Sequence, residues 1–108
     1  MQSFYSCQST GDHVPSSDPV VLDKDTAISV ARQVLREPND FIGFIDSSGT
    51  TIQFYCDESG EIWVEIPYPD EQGSYGKHVS RNEVELFIKE LQETFTNESI
   101  PGGKFKAW

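Results

Sequence analysis

The sequence has few residues of the kind that build metal centres or redox sites. Among its 108 residues are two cysteines, two histidines and one methionine. No CxxC, HxxxH or HExxH spacing occurs, so we expect neither a metal site nor another cofactor. Cys7 and Cys56 lie far apart in the chain, and in a cytosolic protein this favours two free thiols over a disulfide.

Long apolar runs are also missing. No run approaches the roughly 18 residues that a membrane-spanning helix needs. The first residues, MQSFYSCQSTGDHVPSSD, lack the basic start and apolar middle of a signal peptide. The sequence therefore predicts a cytoplasmic protein without a membrane partner.

Basic residues are scarce relative to acidic ones. Eight Lys and Arg stand against 18 Asp and Glu, a formal net charge of −10. Such a surface repels nucleic acid phosphates and anionic membranes and attracts basic partners. The same charge also keeps a protein soluble, a role that needs no partner at all.

Enzyme motifs are absent as well. Glu61 and Glu65 are roughly 13 Å apart along an extended strand at about 3.3 Å per residue, and nothing marks them as a catalytic pair. The SYGK segment lacks the serine or threonine that follows the lysine of a phosphate-binding loop. Cys56 and His78 are a conceivable nucleophile and base, but a buried strand cysteine and a loop histidine explain them more simply. We expect no enzymatic activity.

The length of 108 residues suits one domain and is too short for two. Residues 1–19 are rich in Ser, Gln, Asp and Pro without sustained periodicity, which predicts an irregular N-terminal arm. Residues 20–108 carry helix and strand patterns and are predicted to form a single domain of the α+β class.

Three short strand patterns follow one another in the middle of the chain. They cover residues 41–46, 51–56 and 61–66, and each connection ends in a glycine that suits a hairpin loop. This pattern predicts an antiparallel β-meander. Residues 68–79 contain a proline and two glycines and are predicted to be a long loop, whereas the alternation in 104–108 is compatible with a C-terminal strand.

Two amphipathic helices are predicted to pack on one face of the meander. Asp25 and Thr26 are favourable at a helix start, and Pro38 ends that helix. The second helix opens with the capping box Ser80-Arg81-Asn82-Glu83. Its apolar stripe is expected to be buried and comprises Val84, Phe87, Ile88, Leu91 and Phe95.

Strand alternation gives the meander two chemically different faces. In residues 61–66 aliphatic side chains alternate with a tryptophan and two glutamates, so the tryptophan points away from the helices, towards the face that they leave open. Tyr and Trp are frequent interface anchors, and acids around them steer a basic partner. This predicts a binding patch formed by Tyr55, Glu61, Trp63 and Glu65. Alternatively, the arm or the C-terminal segment covers Trp63 and makes it part of the core.

The segment after the third strand is a second candidate contact. Residues 67–75 hold two tyrosines, two prolines and two acids, a composition typical of a partly stiffened binding loop. Its candidate contacts are Tyr68, Asp70, Glu71 and Tyr75. A solvated connection without a binding role is the alternative.

From about residue 25 onwards the order of elements resembles the immunity proteins of bacterial polymorphic toxin systems, in particular the first-numbered immunity-protein family. The resemblance rests on a helix followed by a short meander, on the late helix VSRNEVELFIKELQETF, and on the closing IPGGKFKAW with Pro101 before a terminal Trp108. The spacing from Pro101 to Trp108 is longer than in the family, and residues 1–19 have no counterpart. Membership implies a small, acidic, non-catalytic protein encoded beside a toxin, in some cases a nucleic acid deaminase.

Residue pattern and resemblance lead to one hypothesis, an inhibitor that covers the active site or substrate channel of a basic toxin domain, such as a deaminase or nuclease. Two alternatives stay open. A regular array of carboxylates on one face would favour an acidic DNA mimic or an adaptor with another target. A pocket that contains both Cys56 and His78 would favour a small enzyme.

Overall fold

An eight-stranded antiparallel sheet and two α-helices form this α+β structure, a computed structural model that describes residues 1–108. The helices are α1 (Lys24–Val34) and α2 (Arg81–Glu90). The strands are β1 (Gln2–Ser6), β2 (His13–Val14), β3 (Val20–Val21), β4 (Phe41–Ile45), β5 (Thr51–Cys56), β6 (Ile62–Tyr68), β7 (Gly73–Val79) and β8 (Lys104–Ala107). Short 3-10 helices occupy Pro69–Glu71 and Asn97–Ser99. Neither α1 nor α2 has the length and apolar character that crossing a membrane requires.

The sheet is a meander extended at both ends. Its strand order is β2-β1-β4-β5-β6-β7-β8, and β3 pairs with β1 next to β2. Strands β4 to β8 follow chain order, so the predicted three-stranded meander is its central part. The predicted α+β class and the C-terminal strand are confirmed.

α2 begins where the sequence predicts, whereas α1 begins at Lys24 with Asp23 as its N-cap, ahead of the predicted Asp25 and Thr26. The Asp23 carboxylate accepts the Thr26 N–H at 2.7 Å at the start of α1, and Ser80 and Glu83 form the capping box of α2. However, α2 ends at Glu90, before the expected stripe is complete. Leu91 and Phe95, the last two residues of that stripe, lie in the segment after the helix and are buried. Phe87 is only partly buried.

The core lies between the sheet and the helices. Alternate residues of β4, β5 and β6 point into it and are almost completely buried: Ile42, Phe44, Ile52, Phe54, Cys56, Ile62, Val64 and Ile66. They meet the buried side chains of α1 and α2, which include Ala27, Ala31, Val84 and Ile88. The period of two along the strands therefore assigns one sheet face to the core.

The expectation of an irregular arm over residues 1–19 is wrong for its first part. β1 pairs with β4 along its whole length, and Phe4 and Cys7 are buried. The Phe4 ring packs on Phe41, with ring centroids 6.0 Å apart, and lies over Gly43, where any Cβ would overlap it. The short strand has no strong pattern of its own. Pairing with β4 and the space above Gly43 stabilise it, and a local sequence pattern shows neither.

The predicted long loop over residues 68–79 is also wrong. Only Pro69–Glu71 and Gln72 form the connection, and Gly73–Val79 is β7, which pairs with β6 on one side and β8 on the other. Its two glycines lower the strand propensity of the sequence. Hydrogen bonds to a neighbour on each side compensate for that in the folded sheet.

Asp46 ties the β4–β5 turn to the end of the chain. Its Oδ1 accepts the backbone N–H groups of Ser48 and Thr50, both at 2.9 Å, and its Oδ2 accepts the Phe95 N–H at 2.7 Å. Burial raises the pKa of Asp46, but the hydrogen bonds from Phe95, Ser48 and Thr50 outweigh it and hold the pKa below its ordinary value.

Truncation of the central core residue Phe54 should destabilise the protein strongly. Its ring is fully buried and contacts Phe44 and Phe87 edge-on, so Phe54→Ala should lower the free energy of unfolding by about 3–5 kcal/mol in urea denaturation. Leu86→Ala is the control, because Leu86 is 56% exposed and its loss should change stability by no more than about 0.5 kcal/mol. Equal effects of the two changes would contradict this assignment of the core.

Asp46→Asn should lower the free energy of unfolding at neutral pH by about 1–3 kcal/mol, because an amide nitrogen would face an N–H donor. The pKa of Asp46 is lower in the folded chain, so the carboxylate stabilises the fold above its unfolded pKa of about 3.9 and loses that contribution as the pH falls through the folded value. The stability gap between wild type and variant should narrow in acid. A gap of equal size at neutral and strongly acidic pH would exclude this role.

Candidate partner-binding site

Four rings lie in register across the sheet face that the helices leave open. The register pairs Phe41 with Tyr55, Tyr55 with Trp63, and Trp63 with His78. Phe41, Tyr55 and Trp63 are half-buried, and His78 is exposed. The four side chains therefore project from neighbouring strands about 4.8 Å apart, and Trp63 and His78 are in direct ring contact. We refer to Phe41, Tyr55, Trp63 and His78 as the aromatic row.

Trp63 is held in place by its own strand neighbour. Its indole N–H donates to Glu65 Oε1 at 2.8 Å. The same carboxylate accepts the Gln53 amide at 2.9 Å and the Ser74 hydroxyl at 3.2 Å. Lys106 places its ammonium 5.7 Å from the Trp63 ring centroid. Glu65 therefore orients the indole and is not the free rim charge that the sequence suggested.

Tyr55 borders an open groove of about 790 Å³ on the same face. The sheet side of the groove includes Phe4, Phe41 and Gln53, and the opposite wall is formed by His13, Pro15 and Ser16. Burial raises the pKa of the Tyr55 hydroxyl, with the charges of Glu65 and Asp57 adding to the effect. The N-terminal segment thus flanks the aromatic row and leaves Trp63 partly exposed.

Acidic groups surround the far end of the aromatic row. His78 packs edge-on against Trp63, with ring centroids 4.9 Å apart at 80°. Its Nε2 lies 3.1 Å from Asp57 Oδ2 and 3.5 Å from Glu61 Oε2. The Ser59 hydroxyl, followed by His78 and backbone N–H groups, holds the pKa of Asp57 below its ordinary value against an opposing effect of burial.

Phe41 and His78 escaped the sequence reasoning for different reasons. Phe41 lies at the start of a predicted strand, but only the pairing of β4 with β5 shows that it is level with Tyr55. His78 lies in the segment predicted as a loop, where alternation has no meaning. The period of two in KHV would have placed His78 and Trp63 on the same face if β7 had been recognised.

The structure separates the remaining candidates from the aromatic row. Tyr68 and Tyr75 point to the helix side and pack against the core. The Tyr68 hydroxyl donates to Asn97 Oδ1 at 2.6 Å, and burial raises its pKa. Asp70 and Glu71 are exposed in the 3-10 helix beyond the end of β6 opposite to Glu61. These four residues do not form one binding loop with the open face.

The pair considered for nucleophilic chemistry is not assembled. Cys56 faces the helices in register with Ile62, whereas His78 is on the open face in register with Trp63. Burial raises the pKa of the Cys56 thiol, although Arg81 opposes this effect. Both cysteines are free and buried; the burial of Cys56 matches the expectation, whereas that of Cys7 does not, because its segment was expected to be irregular.

A second groove, of about 830 Å³, runs beside α2 on the helix side. Glu83, Glu90 and Glu98 line it together with Lys77. The Lys77 ammonium lies 5.6 Å from the Phe87 ring centroid, and Glu83 caps α2. Some charged groups of this second groove thus already interact within the protein, and the groove has no row of aromatic side chains.

No protein-family model, curated protein or solved structure matches this chain.

The role assigned to Glu65 can be tested through Trp63. In a Trp108→Phe background, Glu65→Ala should increase acrylamide quenching of Trp63 and lower the free energy of unfolding by about 1–2 kcal/mol, because the indole, Gln53 and Ser74 lose their shared acceptor. Glu65→Gln is the matched control, since its amide oxygen can still accept the indole N–H while the Gln53 amide turns. Unchanged quenching in Glu65→Ala would contradict this role.

Proposed function

We propose that this protein is a non-catalytic immunity protein that binds a cognate basic toxin domain and covers its active site or substrate channel. The aromatic row is the proposed contact surface. The proposal joins the resemblance of the sequence to toxin immunity proteins with the surface chemistry of the open face. A toxin that acts on nucleic acid, such as a deaminase or nuclease, has a basic groove that suits such a partner.

The observation that carries this proposal is the register-aligned row of partly exposed rings on an uncovered sheet face. Large aromatic side chains lose little conformational entropy on binding and are common among the residues that dominate interface energetics. Three half-buried aromatic side chains and an exposed histidine aligned on one face favour a contact surface. The groove beside Tyr55 offers space for a side chain of the partner.

The uneven distribution of charge on this surface would orient a partner. The net charge of −10 favours encounter with a basic partner. Asp57, Glu58 and Glu61 lie at the His78 end of the row, whereas Lys104 and Lys106 belong to β8 at the nearby sheet edge. A partner would therefore direct its most basic part towards the turn that holds Glu58.

The open face supports capture by an aromatic patch over mimicry of DNA. A mimic needs carboxylates spaced like phosphates. The Glu65 carboxylate, in the middle of this face, already accepts hydrogen bonds from Trp63, Gln53 and Ser74. The lysines of β8 interrupt the negative surface further. An adaptor with another target would use the same row and differ in its partner alone.

The test uses the C-terminal domain of the protein encoded beside the gene for this chain. Trp63→Ala should weaken that complex by at least about 2 kcal/mol, mainly through faster dissociation in surface plasmon resonance. Glu58→Gln combined with Glu61→Gln should lower the association rate and its salt dependence. Leu86→Ala, on the opposite layer, should leave both rates unchanged.

Two outcomes would overturn the proposal. One is the absence of a complex with the neighbouring gene product while both proteins are folded. The other is a complex that Trp63→Ala leaves as tight as wild type, which would place the contact surface elsewhere. If Trp63→Ala unfolds the protein by circular dichroism, Tyr55→Ala on the same face provides the same comparison.

A further inference from the structure

Three potential metal ligands converge at one end of the β5–β6 hairpin. Asp57 follows β5, Glu61 precedes β6, and His78 lies opposite Trp63 on β7. Their nearest ligand atoms all lie within 4.8 Å of one another. One imidazole nitrogen, Nε2 of His78, faces both carboxylates at 3.1 Å and 3.5 Å.

We propose that Asp57, Glu61 and His78 form a binding site for a divalent transition metal, with Zn²⁺ as the best-fitting ion. His78 would supply Nε2 and each acid one carboxylate oxygen, which leaves at least one coordination position open to solvent. Imidazole favours zinc and its neighbours in the transition series, whereas calcium and magnesium sites consist of oxygen ligands. The proposal does not depend on the proposed function.

The two distances at His78 Nε2 suit this ion. Zinc binds nitrogen and carboxylate oxygen at about 2.0–2.2 Å, so neighbouring ligands of a tetrahedral site are about 3.4 Å apart. The contacts of 3.1 Å and 3.5 Å at Nε2 lie on either side of that value. Nε2 carries at most one hydrogen, so His78 can donate to only one of the two carboxylates. A cation between the three groups satisfies both acids at once.

The ligands are oriented before any ion arrives. Asp57 Oδ1 accepts the backbone N–H groups of Ser59 and Glu61, both at 3.0 Å, and this leaves Oδ2 directed at His78. The turn is closed by Gly60 at a φ of 85°, a conformation that favours glycine. His78 is supported by the edge of Trp63. Such supporting contacts fix ligand geometry and contribute to metal affinity.

The imidazole distinguishes this group from the rest of the acidic surface. Asp70 and Glu71 are adjacent exposed acids as well, but no histidine joins them. The other histidine, His13, lies on β2 at the far side of the sheet. The side chains of His78 and Glu61 are 54% and 65% exposed, so an ion reaches them without any opening of the fold.

Isothermal titration calorimetry with zinc chloride tests the site on the full chain. Wild type should bind one zinc ion per chain, and His78→Ala and Glu61→Gln should each weaken binding by at least about tenfold, as expected for the loss of a ligand. Glu58→Gln changes an acid of the same turn that lies outside the group, and His13→Ala removes the other imidazole. Both control variants should bind zinc like wild type.

Fluorescence quenching tests whether the ion binds next to His78. Cobalt(II) should quench Trp63 fluorescence in a Trp108→Phe background, because the indole adjoins His78, and His78→Ala should abolish that saturable quenching. The proposal is overturned by a zinc titration without saturable heat, by equal affinity of His78→Ala and wild type, or by loss of binding in His13→Ala. Complex formation with the toxin domain is measured separately, so failure of either proposal leaves the other standing.

Discussion

The register between β5 and β6 sets both faces of the sheet. It pairs Phe54 with Val64 in the core and, one residue along, Tyr55 with Trp63 on the open face. A slip of one residue in β5 would turn Phe54 to the solvent and Tyr55 towards the helices, and a slip in β6 would do the same to Val64 and Trp63. Because the buried face tolerates no such slip, the hydrophobic core determines the alignment of the aromatic row. The same pairing continues through β4 and β7 and so extends the row to Phe41 and His78.

Much of the acidity serves the fold. The buried Asp40 carboxylate accepts the backbone N–H groups of Gln8, Arg36 and Glu37, which ties the N-terminal segment to the end of α1. Asp46 joins a hairpin turn to Phe95, and Asp57 closes the next turn. Charge-assisted bonds of this kind are stronger than neutral ones. The net charge therefore overstates the number of carboxylates that a partner can reach, and the acids left at the His78 end matter more than the total.

The proposed partner contact and the proposed metal site lie next to each other on the open face. The aromatic row offers contact area without acidic rim charges along its length, because Glu65 is used to orient Trp63. At its end, the imidazole of His78 lies between two acids and against the indole. A partner that covers Trp63 would lie next to this group, so a metal ion or a basic side chain there would be part of the same surface. A partner and an ion that both bound this face would therefore influence one another through His78.

The sequence by itself determined the elements with a clear local signal. Alternation in IQFYC and IWVEI specified the central strands and the opposite directions of Phe54 and Trp63, and Ser80 with Glu83 specified the start of α2, because side-chain periodicity and capping act over a few residues. Only the tertiary structure decided the rest. β1 and β7 have weak strand propensity and are stabilised by pairing with their neighbours. The Phe4 ring fits only because Gly43 has no side chain. The hydrogen bonds of Glu65 with Trp63, Gln53 and Ser74 need three strands side by side. The alignment of Phe41 and His78 with Trp63 likewise depends on contacts between residues distant in the chain, which local patterns do not encode.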